Sequence, residues 1–438
     1  MVELLPLISI IGFGFFYKKN NLNHFLVSLI FLSFYMFATN YNYIFGLEFD
    51  FYRYLHRSIG IILAISLIFY ILRNKVNFLK EPGILILIYF FIIIFFSFFN
   101  NDLQFEYYYH YSRNFIFISL IISFIYFNVD SNDKLDELFK VFLYLSVFLS
   151  FCIIYELIKV NPMALSPETW SAKWGRRVSL FYSNPNYLAF ALLPGFVVAI
   201  FSSNKYKVLT LLPILIAIFG TGSRSVELAV VTIIMIYLFS KKFNKIYFFT
   251  SLTSLFLIIY LALFSSLSFF DRIVTNHNID KSRLAFAKIT LNIIKEEPLN
   301  GIGYGQFRVK YIKYLDQDII DMRVSELTSA QHSHNEDLTD NQLESFGVKR
   351  YMEIMTHNDL LTIIAELGLL GVIFLCYLVY KLYFEYRDLF LRKTYYFYVS
   401  LSMTSGALIY SLFHNNITSF IFWFILILPF IINRNYSR

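Results

Sequence analysis

Apolar residues in this chain come in blocks of bilayer-crossing length, about 17 to 25 residues, parted by short polar breaks almost from end to end. The blocks predict twelve or thirteen membrane helices, at residues 3–17, 25–45, 58–72, 83–99, 114–128, 137–158, 187–202, 207–220, 224–239, 246–268, 359–380, 396–413 and 416–432. The first block is short and holds Pro6, Gly12 and Gly14, so it reads either as a span or as a half-span in the interface. The expected architecture is an all-α integral membrane protein in three parts. Residues 1–268 form a bundle with an outer loop at 159–186, residues 269–358 form one large polar loop with short helices, and residues 359–438 return to the membrane.

Composition agrees with the pattern. The 438 residues are 58% hydrophobic, 20% aromatic and only 15% charged, against roughly 25% charged in a soluble domain. The net charge of +7 is spread over short loops, which fits anionic lipid and gives no reason to invoke nucleic acid. Lys18–Lys19, Arg73 with Lys75 and Lys80, Lys205 with Lys207, Lys241–Lys242 with Lys245, and Lys381 through Lys393 all fall on one side when every span is counted. The positive-inside rule makes that side cytoplasmic and puts the large loop on the opposite, periplasmic face. No basic n-region precedes the first apolar block, so no cleavable signal peptide is expected. Cys152 and Cys376 lie in different apolar blocks, without metal-ligand spacing, and read as packing residues.

Charge near the bilayer then picks out candidate chemistry. Arg224 opens a span within Gly220-Thr-Gly-Ser-Arg-Ser-Val-Glu, and an ionisable group there costs up to about 3 kcal/mol unless it finds a partner. Glu227, on roughly the same helical face, could pair with it. Alternatively Ser223, Arg224, Ser225 and the helix N-terminus present donors to a phosphate. Arg176 and Arg177 precede Asn184-Pro185-Asn186, where Asn186 is placed to start a helix; the arginines read as lipid anchors or as ligand contacts. The large loop is basic first and acidic second: eight Lys/Arg against four Asp/Glu from Asp271 to Lys313, then three against nine from Tyr314 to Thr356.

The basic half of that loop holds an amphipathic run from Ser282 to Glu297 and then Gly301-Ile-Gly-Tyr-Gly-Gln-Phe307, a helix ending in a glycine turn. No buried strand precedes these glycines, so a nucleotide site is not indicated. The His332–Asp337 tract resembles a metal-binding stretch but has no fixed helical spacing. His357-Asn358-Asp359 opens an apolar helix, and helical spacing would put His357, Leu361, Ile364 and Gly368 on one face. An imidazole at that boundary is either a cap or a general base, being largely neutral near pH 7.

Four pieces stand in one order: Arg176-Arg177 before Ser-Asn-Pro-Asn-Tyr-Leu-Ala, then Thr-Gly-Ser-Arg-Ser, then Pro-Leu-Asn-Gly-Ile-Gly-Tyr-Gly-Gln-Phe, then His-Asn-Asp-Leu-Leu before Ala-Glu-Leu-Gly-Leu-Leu-Gly. Together, over roughly residues 175–430, they resemble the O-antigen ligase and polymerase superfamily, although Thr356 stands where the family often has proline. The resemblance implies a GT-C-like, multi-pass enzyme of the bacterial inner membrane. Such an enzyme takes a glycan from undecaprenyl pyrophosphate at the periplasmic face, with no metal and no cofactor.

It further implies His357 as general base, and Arg176 or Arg177, Arg224 and Arg283 as pyrophosphate contacts. Asn186, Ser223, Glu227 and Asn358 would support them. The partners it implies are the lipid-linked glycan, membrane lipid and a chain-length regulator. A polymerase is the preferred expectation, because the charge-divided loop could hold two glycans; a ligase acting on lipid A-core and a flippase are the alternatives. A flippase would need ionisable groups inside several spans, and Glu227 and Glu366 are almost the only ones visible.

Overall fold

The computed structural model describes residues 67–100 apart from 69, 74 and 76, then 103–158, 178, 180, 184–203, 207–240, 278–314 and 358–437, with backbone alone at 79, 278–285 and 312. Among these residues every regular element is helical. The expected spans at 3–17, 25–45 and 246–268 lie outside them, as does most of 58–72.

The apolar blocks become α1 (Pro82–Ser97), α2 (Phe105–Asn128), α3 (Asn132–Ile158), α4 (Pro185–Phe201), α5 (Lys207–Thr221) and α6 (Arg224–Ser240). The amphipathic run of the large loop becomes α7 (Asn278–Glu296), and a single short turn, α8 (Phe307–Lys310), follows the glycines. The chain then re-enters the bundle as α9 (Asp359–Arg392), α10 (Tyr395–Ser411) and α11 (Phe420–Ser437).

The starts have local causes. Pro82 and Pro185 occupy first-turn positions, where a missing N–H costs nothing. The Asn184 side chain accepts a 2.8 Å bond from the Asn186 amide, so Asn184, not Asn186, is the cap of α4. The helix begins two residues earlier than the sequence suggests, because the proline is part of its first turn.

The helices are unequal in length. Among the described residues, Asn132–Leu157, Asp359–Arg392 and Phe420–Ser437 are long and apolar enough to cross a membrane. Apolar α1, α4 and α5 have 16, 17 and 15 residues, about 22–26 Å at 1.5 Å per residue, against a hydrocarbon core of about 30 Å. The membrane character of the chain is therefore clear, while its apolar blocks are not a set of equivalent spans.

Burial explains the shortness of α4. From Leu188 to Phe201 every residue of α4 is buried, the mark of a helix apolar all round and enclosed by others. Its Gly195 lies so close to α3 that a Cβ would strike the Ser146 hydroxyl. Phe90, Phe115, Phe374 and Trp423 then tie α1, α2, α9 and α11 together, with ring centroids 4.7–5.2 Å apart for the four closest pairs. Lipid-facing side chains remain outside: Phe95, Leu209 and Val379 are 52–69% exposed.

Each end of the bundle is tied separately. At one, Tyr396 donates to Asp136 at 2.9 Å and Arg434 to the Val129 carbonyl at 3.0 Å. Lys134, Lys207, Arg392 and Lys393 stand at helix ends there. At the other end Gly406 of α10 packs on Ala229 of α6 and Leu193 of α4. Tyr410 also stacks on Phe190 of α4, with ring centroids 4.4 Å apart; Gly406, Tyr410, Ala229 and Phe190 each lie within about two turns of one helix end, so the end of α10 and the starts of α4 and α6 share one side. The Asn358 side chain donates to the Leu412 carbonyl at 3.1 Å, which brings the start of α9 to the same side.

Candidate functional site

The site is organised by a break in α9. Gly368 has φ 57° and ψ −140°, so the helix does not run through it. This interrupts the helical face expected to join residue 357 to Gly368. A break of this kind strands carbonyls that a continuous helix would use. Here the glycine turn of the large loop takes them: the Ile302 amide donates to Ala365 O at 3.0 Å and the Gly303 amide to Glu366 O at 2.8 Å. In return the Leu369 amide donates to Pro298 O at 2.9 Å and is shared with Leu299 O at 3.1 Å.

The exchange requires backbone to lie directly on backbone. A Cβ on Gly301 would come within 2.5 Å of the Glu366 carbonyl carbon, and one on Gly368 within 2.5 Å of the Gly301 nitrogen. Both have positive φ, so a side chain is excluded twice over.

Glu366 completes the joint. Its two carboxylate oxygens accept from the Gly305 amide at 2.9 Å and the Phe307 amide at 3.1 Å, all within the buried interior. The glycine run is thus an anion cradle whose anion is an internal carboxylate. Around it Gln104 and Gln306 exchange bonds of 2.8 and 3.0 Å, the Tyr304 amide donates to Ser97 Oγ at 3.3 Å, and Asn100 donates to the Asn300 and Gly301 carbonyls. Phe286, Ile289 and Ile293 of α7 close a small core with Ile302, Phe307, Tyr311, Tyr314 and Ala365. The basic half of the large loop is therefore seated on α9 and on the turn after α1. Between that turn and α7 lies a cleft of about 560 Å³, lined by Phe99, Asn100, Gln104, Glu297, Lys310 and Lys313 among others.

At the start of α9, Asn358 is the helix cap: its side chain accepts from the Leu361 amide at 3.0 Å. Asp359, a residue without an expected role, is buried and accepts from the Asn416 and Ile417 amides at 2.6 and 2.9 Å. Asn415 donates to Thr362 at 2.7 Å. The backbone just after position 357 is thereby fixed to the turn between α10 and α11.

The expected residues fare differently. His357, Arg176 and Arg177 lie outside the described residues, as does the 332–337 tract, and Arg283 is described only as a backbone position in α7. Arg224 is exposed at the first position of α6, after a turn in which Gly222 has φ 61°. Ser223 and Ser225 are buried, their hydroxyls 3.4 Å apart. Among the described residues no ion pair joins Arg224 to Glu227. Asn186, Ser223, Arg224 and Asn358 do stand at one end of the bundle, the end that carries the glycine turn.

Two further basic side chains stand at that end. Arg113 of α2 approaches His110 Nδ1 at 3.3 Å, and Arg308 of α8 acts electrostatically on His110, Tyr111, Tyr187 and Glu366. Partial desolvation, then Arg113 and Arg308, lower the pKa of His110 below its ordinary 6.5, with Glu106 opposing them. Sequence reading passes over Arg113 and offers Arg308, with Arg272, as an alternative to Arg283. Arg113 precedes an apolar block and looks like a boundary residue, and Arg308 was one of several loop arginines.

Residues 209–339 match a family model described as O-antigen ligase. The match spans α5, α6, Arg283 and the glycine turn, and it bears out the superfamily resemblance; Arg176, Arg177 and His357 lie beyond its limits. No curated protein matches the chain.

Proposed function

With an O-antigen ligase segment at residues 209–339 as the premise, we propose that the protein is a bacterial surface-polysaccharide polymerase. It joins undecaprenyl-pyrophosphate-linked repeat units at the periplasmic face of the inner membrane. Its family transfers glycosyl groups, so an enzyme of that broad kind is supported directly; donor, acceptor and compartment are the proposed part.

The observation that carries the reading is the seating of the glycine turn on α9. It brings the family-matched segment against the helix that His357 precedes, through the Ile302, Gly303 and Leu369 backbone bonds. One end of the bundle therefore holds the arginine-bearing turn before α6, the cleft beside α7 and the capped start of α9.

In this mechanism an acceptor sugar hydroxyl attacks the anomeric carbon of the donor as the bond from that carbon to the pyrophosphate oxygen breaks. The electron pair leaves with the pyrophosphate, and single displacement inverts the anomeric centre. His357 takes the hydroxyl proton, a role typically worth about 10²–10⁴-fold. Arg176 or Arg177, Arg224 and Arg283 bind the growing phosphate charge, because planar guanidinium groups match phosphate better than a lysine ammonium does. The polar cleft, with amides, charged groups and an exposed phenyl ring, suits a glycan.

Ligation of finished polymer to lipid A-core is the second reading, favoured by the description of the matching family. Purified full-length protein given a synthetic lipid-linked repeat tests the choice. Lengthening of the repeat supports the polymerase, and transfer only onto lipid A-core supports the ligase. His357→Ala should abolish transfer at normal protein level; full activity in that variant would remove the base.

A further inference from the structure

Arg113 was not among the arginines expected to meet phosphate and Arg308 was only an alternative to Arg283, yet the fold brings their elements together: Gly305 lies against Tyr111 and Gln306 exchanges bonds with Gln104, so α8 meets the start of α2. Arg113 projects from the first turns of α2 and Arg308 from the short helix after the glycine turn, and both act on the same imidazole, His110. Among the described residues neither has a carboxylate partner. Among the described residues Arg308 makes no hydrogen bond and no ion pair, and Arg113 touches only the His110 ring nitrogen and, at 5.6 Å, the face of Tyr109. The Nε atoms of both are buried and unsatisfied.

The nearby acids are otherwise occupied or out of reach. Both oxygens of Glu366 are taken by the Gly305 and Phe307 amides. Glu106 acts on His110 without bonding to either guanidinium. Two half-buried guanidinium groups acting on one imidazole, with no carboxylate bonded to either among the described residues, repel one another and leave forked donors unmet. An anion with several acceptor oxygens relieves both faults.

We propose that Arg113 and Arg308 form a binding site for a phosphate or pyrophosphate group borne on lipid, with His110 at its edge. The site rests on the polymerase reading only for the identity of the lipid, since phosphate chemistry is common to a polyprenyl pyrophosphate and to a phospholipid headgroup. Because α8 follows the glycine turn directly, the seating of that turn on α9 also sets the position of Arg308. The turn and the site are thus coupled.

Binding of undecaprenyl pyrophosphate, of inorganic pyrophosphate and of phosphatidylglycerol to purified full-length protein tests this. Wild type is compared with Arg113→Gln, Arg308→Gln, the double variant and Arg308→Lys, and thermal unfolding in detergent serves as the folding control. Each glutamine variant should weaken pyrophosphate binding by roughly tenfold or more, the range of a lost charge-assisted contact. Arg308→Lys should fall between, keeping charge without the fork.

Tighter binding of the polyprenyl pyrophosphate than of phosphatidylglycerol identifies the donor as occupant, and the reverse identifies a structural lipid. Unchanged affinity for all three probes in a folded double variant overturns the site, even if elongation by wild type keeps the polymerase reading. Loss of affinity in the variants of a protein that never transfers sugar keeps the site and overturns the enzyme.

Discussion

Replacing Glu366 by alanine removes both acceptors from the Gly305 and Phe307 amides and leaves two buried donors with nothing to bond. Each orphaned donor costs about 1–3 kcal/mol, so the glycine turn should lose about 2–6 kcal/mol of its hold on α9. At about 1.4 kcal/mol per factor of ten, the opening equilibrium of the turn rises by about 30-fold to 10⁴-fold. Hydrogen exchange by mass spectrometry reads this directly. Peptides covering residues 300–310 should exchange faster by that factor, while peptides from α10 and α11, to which the Glu366 carboxylate makes no hydrogen bond, stay as in wild type and serve as internal reference. Glu366→Gln should lie between, because its one carbonyl oxygen can accept from one amide while its NH₂ faces the other. If exchange over 300–310 in Glu366→Ala stays within about threefold of wild type, the carboxylate does not hold the turn and the account of the joint is wrong.

Gly301→Ala and Gly368→Ala should each cost about 2–4 kcal/mol, because a methyl group meets backbone at a positive φ; Gly406→Ala, which meets the movable end of Leu193, should lower the unfolding midpoint less. Asn358→Ala should remove about 1 kcal/mol of helix capping and lower kcat more than it raises KM, since position 357 would lose its fixed neighbour; Asn358→Asp should restore the cap but not the bond to the Leu412 carbonyl, since a carboxylate cannot donate, and an unaltered kcat in the alanine variant would refute the positioning role. His110 has a folded pKa below its unfolded value, so it contributes stability that is complete above about pH 6.5 and is lost as the pH falls, because the unfolded chain binds the proton first. His110→Gln should flatten unfolding midpoints across that acid range, and pyrophosphate should oppose the loss in wild type. Arg224→Lys should slow transfer despite keeping the charge, as read in the elongation assay.

Much of the framework was legible because it is local. The run 207–220 became Lys207–Thr221 and 224–239 became Arg224–Ser240, with the Gly222 turn between them, since apolar length and a glycine at positive φ need no knowledge of neighbours. The helix of the large loop, expected from Ser282 to Glu297, spans Asn278–Glu296 for the same reason. What escaped was relational. Glu366 reads in sequence as a costly membrane charge, and only the fold supplies the two amides that satisfy it. Gly368 looks like a small residue within an apolar helix, and the break there has meaning only beside Gly301. The burial of Ser223 is set by packing that its sequence neighbours do not reveal, and Asn186 was preferred over Asn184 because the proline between them obscured the cap.

The mutual fit of Gly301 and Gly368 bears on how such enzymes could be recombined. A chimera that receives residues 298–307 from a homologue, and keeps its own α9, succeeds only if both donors lack a side chain at these two facing positions and keep an acid two residues ahead of the break. The module for exchange is therefore discontinuous in the chain: the glycine segment and the first stretch of α9 travel together, whatever lies between them.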